Sequence, residues 1–146
     1  LAAFPLALIP SMALFASAYL LLTAVGVDLN GIQRPSPSAT ATELFGAVVV
    51  APIVETCVLS LLLIALLKMG VRPLFGAVVS AVLWGALHAT LAPLWFFGTV
   101  WSFFVFSCAF IGWRERSFNQ AFVAAAVPHA LINLSVMATL TLDKAA

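Results

Sequence analysis

Runs of about twenty apolar residues, each closed by a short polar or Pro/Gly-bearing break, dictate what this chain can fold into. A bilayer core about 30 Å thick takes roughly 20 apolar helical residues to cross. The breaks divide the sequence into about five such runs: Leu1 to Val27, Glu43 to Lys68, Pro73 to Leu91, Pro93 to Trp113, and Ala121 to Leu142. Between them lie a Pro-, Ser- and Thr-rich stretch (Asp28–Thr42), the tight connection MGVRP, an Ala92–Pro93 turn and the polar segment RERSFNQ (Arg114–Gln120). Continuous apolar runs, in place of short alternating segments, indicate helices and not a membrane barrel. The expected fold is all-α: a polytopic membrane helix bundle of about five transmembrane helices, forming a single transmembrane domain over residues 1–146. The runs differ from one another and show no internal repeat.

Charge enters the argument through its scarcity. Charged residues make up 8% of the chain and apolar ones 64%, whereas a soluble domain is about 25% charged. So few charges cannot solvate a protein of this size in water, and the lipid bilayer is the expected partner. The same balance excludes a disordered chain and a nucleic-acid binder, and two cysteines exclude a disulfide scaffold. Cys57 and Cys108 read as small apolar core residues, and Trp95 and Trp113 as interfacial anchors. The chain opens on Leu1 with no basic segment and small-residue cleavage site behind it, so it reads as mature protein. With five spans, Lys68, Arg72, Arg114 and Arg116 fall on one side and Arg34 and Lys144 on the other, which favours the first side as cytoplasmic.

An ionisable side chain within a span is costly enough to mark a functional site. Glu55, His88 and His129 qualify, one on each of three runs. Glu55 lies thirteen residues from Lys68 and His129 thirteen past Arg116, each about 20 Å of helix. His88 lies sixteen residues from Arg72, about 24 Å. The three therefore share one layer, somewhat beyond mid-membrane. Asn133 follows His129 by four residues and shares its face. Small-residue stripes, Ala77/Ala81/Gly85 below His88 and Ala121/Ala125 below His129, turn both histidines toward packed helix interfaces. Pro128, just before His129, removes a backbone hydrogen bond.

A Glu, two His and an Asn converging in a partly dry site suit hydrolysis of an acyl bond. Glu55 is the candidate general base for water; His88 would orient that water or shuttle its proton. His129 and Asn133 could donate hydrogen bonds to the oxyanion of a tetrahedral intermediate. No serine stands beside a base as a nucleophile. Glu55, His88 and His129 could instead ligate Zn²⁺, but HExxH is absent and no carboxylate would remain as base, so no cofactor is expected.

Glu55 in PIVET, His88 closing WGALH, and His129 and Asn133 in PHALIN together resemble the CAAX protease and bacteriocin-processing (Abi) family of glutamic intramembrane proteases. That family carries EExxxR, an aromatic-xxx-His and a final HxxxN or HxxxD. Trp84 stands four residues before His88, and the last motif matches in full. The resemblance runs from about Ala51 to Asn133, with a family-like core over about 43–142. It implies an intramembrane endopeptidase in which Glu55 activates water with His88 as partner and His129 and Asn133 stabilise the oxyanion. The substrate would be a membrane-associated peptide or protein. Thr56 replaces the second Glu and Ser60 the Arg, a paired loss of a carboxylate and its counter-ion that marks a divergent branch. It also feeds a second reading: a catalytically inactive relative that serves as scaffold or assembly subunit with other membrane subunits. A proton or solute transporter using Glu55 as relay is disfavoured by dissimilar spans without repeats. The expected location is a bacterial inner (cytoplasmic) membrane.

Overall fold

A computed structural model describes residues 2–27 and 40–142, the last three by backbone alone. The described residues form five helices and no strand: α1 (Ala3–Ala24), α2 (Ala41–Lys68), α3 (Pro73–Ala89), α4 (Trp95–Trp113) and α5 (Phe118–Leu142). Four of them are long and apolar enough to cross a membrane. With 17 residues, α3 is about 25 Å long, a little short of a 30 Å core. The chain is an integral, multi-pass membrane protein. Large side chains such as Leu6, Leu61, Phe75 and Val123 stand exposed on the outside of the bundle, where lipid replaces water as solvent.

Helix ends differ slightly from the sequence expectation, for local reasons. Thr40 caps α2: its hydroxyl accepts from the Glu43 N–H while the Glu43 carboxylate accepts from the Thr40 N–H, a capping box. Ala41 and Thr42 thus belong to the helix with Thr40 as its cap, and the rest of the proposed loop, with Arg34, lies outside the described residues, as does Lys144. Ser117 accepts from the Gln120 N–H and starts α5 at Phe118, three residues early. The α2–α3 connection turns at Gly70, whose φ of +82° is the left-handed geometry glycine takes at a helix C-terminus. Lys68 and Arg114 line one groove with Ile64, Leu67, Phe110 and Phe118, so the two basic connections sit at the same end of the bundle.

At the centre lies α4, packed against α1, α3 and α5. Phe103, Phe106 and Phe110 on its inner face are buried with Leu59, Leu63, Ala81, Trp84, Ala121 and Ala125. The two small-residue stripes are buried, as expected: Ala77, Ala81 and Gly85 on α3, Ala121 and Ala125 on α5. Gly85 is the closest approach, since a β-carbon there would come within 3.1 Å of the Phe96 ring and 3.2 Å of Val100. Paired hydroxyls hold the helices in register, Ser80 with Ser107 at 3.1 Å and Ser11 with Ser102 at 2.7 Å.

Three prolines lie inside helices, Pro10, Pro52 and Pro128, and each denies a carbonyl its usual donor; two of these carbonyls are met from another helix. Pro10 in α1 cannot donate to the Leu6 carbonyl four residues back, and the Trp101 indole Nε1–H donates to it instead, at 2.9 Å. Pro52 does the same to α2. Residues Gly46–Val50 form a π turn in which the Ala51 N–H reaches the Gly46 carbonyl, five residues back. Continued one step, that register would pair the Ala47 carbonyl with residue 52, which has no N–H.

The cysteine expectation fails. Cys57 and Cys108 are both free and exposed on the helix surfaces. A membrane helix is apolar on its lipid face as well as its packed face, so apolarity alone could not assign them inward.

Candidate functional site

The site residues come from three helices that need not have met. Glu55 lies one and a half turns past the π turn on α2, His88 in the last turn of α3, and His129 in the middle of α5, directly after Pro128. Their side chains converge. The Glu55 Oε2 atom lies 3.9 Å from His88 Nε2 and 3.6 Å from His129 Nε2. These distances exceed a direct hydrogen bond but place one carboxylate oxygen between two imidazoles. His129 is nearly enclosed, with a side chain 5% exposed, while Glu55 and His88 keep 22% and 19%. Glu55 and His88 are therefore the partly open members of the cluster and His129 the closed one.

Hydrogen bonding fixes one ring. His88 Nδ1 lies 2.9 Å from the Trp84 carbonyl; a carbonyl only accepts, so Nδ1 carries the proton. In the neutral ring Nε2 is then a bare lone pair turned toward Glu55. Two acceptors face each other there, and only a donor between them makes the arrangement favourable. His129 Nδ1 and Glu55 Oε2 are buried polar atoms without a partner among the described residues. Such atoms are costly to leave unpaired, and they mark the cluster as a place built for a polar guest.

Aromatic rings from α3 and α4 hold the imidazoles. Phe103 stacks on Trp84 at 4.7 Å and touches both histidine rings, His88 at 5.5 Å and His129 edge-on at 5.1 Å. Phe106 stacks flat on His129 at 4.9 Å. Phe103 thus packs on both histidines at once, a part that sequence reading missed because nothing in the phenylalanine-rich α4 singles it out. Trp95, expected as an interfacial anchor, also turns toward His88, with ring centroids 6.5 Å apart. Trp113 is 42% exposed, and the Arg116 guanidinium lies over its ring at 4.8 Å.

Asn133 takes a different direction. Its amide Nδ2 donates to the Ala47 carbonyl at 2.8 Å, the group that the π turn and Pro52 leave open. The positions that depart from the family motif are buried in packing: Thr56 is 2% exposed and Ser60 1%. The Ser60 hydroxyl bonds to the Cys57 carbonyl of its own helix at 2.8 Å. No group of three His, Cys, Asp or Glu residues is spaced to hold a metal ion among the described residues.

Fold and site together define a multi-pass, all-α membrane protein with a Glu–His–His cluster gathered inside its bundle. Residues 37–135, more than half of the chain, match the model of the Rce1-like family, type II CAAX prenyl endopeptidases. The chain belongs to that family, and so to the CAAX protease type of membrane endopeptidase. The matched segment takes in α2, α3, α4 and most of α5, and with them all four candidate residues; α1 lies before it. No curated protein and no solved structure matches the chain significantly.

Proposed function

We propose that this protein is a glutamic-type intramembrane endopeptidase that hydrolyses a peptide bond of a membrane-associated substrate. The observation that carries the reading is the convergence of both histidine Nε2 atoms on one Glu55 oxygen, at 3.9 and 3.6 Å. A water molecule between Glu55 and His88 donates one hydrogen to each acceptor, which turns its own lone pair outward as nucleophile. Water attacks the peptide carbonyl carbon while Glu55 takes its proton, the work of a general base. The carbonyl oxygen becomes an oxyanion, and donors aimed at it stabilise the transition state. His129, protonated on Nε2, is one such donor. An amide carries two N–H bonds; Asn133 spends one on Ala47, and the second is the one given to the oxyanion. Collapse of the intermediate breaks the C–N bond, and Glu55 returns its proton to the leaving amine. No metal takes part in this scheme. Trp84 and Phe103 hold the rings in place and exclude water from the back of the site.

The test uses purified protein in proteoliposomes and a fluorogenic farnesylated CAAX peptide beside unprenylated membrane-anchored peptides. The wild type cleaves at least one, and Glu55→Gln and His88→Ala each reduce turnover by about 10²–10⁴, the range of a lost acid–base group. Folded variants that cleave like wild type overturn the mechanism. The buried Thr56 and Ser60 favour one other reading, a non-catalytic scaffold for membrane subunits. It gains if no peptide is cleaved and both variants still support the protein's role in cells.

A further inference from the structure

The Pro52, Ala47 and Asn133 groups form a three-part device outside the acid–base chemistry. Proline at position 52 removes one N–H from α2, so one carbonyl of the preceding turn must be orphaned. In α register, with each N–H bonded four residues back, the orphan is Val48. In π register, five residues back, it is Ala47. The Ala51 N–H reaches Gly46, so the turn has taken the π register, and the orphaned Ala47 carbonyl is the one Asn133 Nδ2 occupies at 2.8 Å. The α-register orphan, Val48, lies one residue, or about 100° of helix rotation, further round.

We infer that Asn133, beside its proposed part at the oxyanion, has a separate positioning role: by capturing the Ala47 carbonyl it selects the π register of α2 and thereby sets the rotation and depth at which Glu55 meets the two histidines. Glu55 follows Pro52 by three residues, on the same face. Asn133 sits one turn from His129 on a helix face already packed on α2 and its π turn. One side chain thus ties the carrier of the base to the carrier of the buried imidazole. The tie between Pro10, the Leu6 carbonyl and Trp101 is built on the same plan elsewhere in the bundle, a second proline-orphaned carbonyl met by a donor from another helix. The inference adds to the proposed hydrolytic reading, but its central readout does not require cleavage.

The experiment restores the missing backbone donor. In Pro52→Ala, residue 52 regains its N–H, and the Ala47 carbonyl has a backbone partner in either register, from residue 51 or residue 52. Four proteins are compared: wild type, Asn133→Ala, Pro52→Ala and the double variant. Hydrogen–deuterium exchange of amides 49–56 is measured in proteoliposomes, with kcat and KM where a peptide is cleaved. Asn133→Ala raises exchange in this window at least tenfold and lowers kcat with KM unchanged. The double variant brings exchange back to within threefold of wild type and recovers at least tenfold of the lost kcat. Exchange in the double variant as fast as in Asn133→Ala overturns the inference, whether or not any peptide is cleaved. So does restored exchange with kcat no better than in Asn133→Ala, since the residue then acts only on the oxyanion. Should wild type cleave nothing, the hydrolytic reading falls while exchange alone decides the tie.

Discussion

Gly85→Val tests whether the closeness of α3 to α4 is what delivers His88 to the site. An ideal β-carbon at Gly85 would stand 3.1 Å from two ring carbons of Phe96 and 3.2 Å from the Val100 β-carbon. Comfortable carbon–carbon contact is about 3.5–4.0 Å, so even alanine forces a retreat of a few tenths of an ångström, and valine adds two methyl groups to the same gap. Overpacking of this kind costs about 1–3 kcal/mol, and the middle of that range shifts the unfolding equilibrium roughly 30-fold. The displaced helix carries His88 three residues further on, the same face of the next turn, and its Nε2 is already 3.9 Å from Glu55. Reversible unfolding in mixed micelles, followed by tryptophan fluorescence, should show Gly85→Ala mildly and Gly85→Val strongly destabilised. Cleavage should fall with them. Gly112→Val on α4 is the control, because a β-carbon there meets nothing within 4 Å. If Gly85→Val unfolds at the wild-type midpoint, or if Gly112→Val is equally harmed, close packing at Gly85 is not what places α3.

Four further outcomes follow from the geometry. Glu55→Asp withdraws the carboxylate by about 1.3 Å, one methylene of a chain with bonds of about 1.5 Å, and a misplacement of that size lowers kcat about 10²-fold; activity within threefold of wild type refutes Glu55 as the base. Phe103→Leu keeps an apolar side chain but removes the stack on Trp84 and the contacts to both imidazoles. It should cost about 1–2 kcal/mol of stability, and its loss of kcat should exceed that of an equally destabilised variant distant from the histidines. Trp101→Phe strips the donor from the Leu6 carbonyl and should lower stability by about 0.5–1.5 kcal/mol with kcat unchanged, read in the same micelle titration. Exhaustive dialysis against a chelator should leave cleavage intact, and stoichiometric zinc found by elemental analysis in active protein would reverse the assignment of a metal-free site.

The sequence exposed the convergence of Glu55, His88 and His129 more fully than the packing around it. Glu55, His88 and His129 were legible because lipid makes ionisable groups rare and because helix rise is regular enough to compare depths across segments. The stripes at Ala77, Ala81, Gly85, Ala121 and Ala125 were legible for a related reason: close helix approach demands small residues. The inward faces of larger residues were not. Water imposes a polar face on a soluble helix, but lipid imposes none, so Cys57 and Cys108 carried no mark of pointing outward, and Phe103 none of packing on both histidines. Of the tie at the π turn the sequence displays one part, Pro52, which denies a carbonyl of the preceding turn its donor in either register. The partner of that carbonyl, Asn133, lies 86 residues away, a pairing that only the packing of α5 on α2 reveals.

The link between α1 and α4 has a consequence for how the chain is made. Leu6 and Ser11 are synthesised ahead of their partners Trp101 and Ser102, which lie 95 and 91 residues downstream. Until α4 has been inserted, the Pro10-orphaned carbonyl must find a temporary donor in the translocation machinery, in water at the interface or in lipid headgroups, while the Ser11 hydroxyl can turn back to a carbonyl of its own helix. Helix α1 is therefore committed to the membrane before it can be committed to α4. Arrest of translation between α3 and α4 should leave α1 inserted but undocked, and open to whichever other chain first offers it a donor.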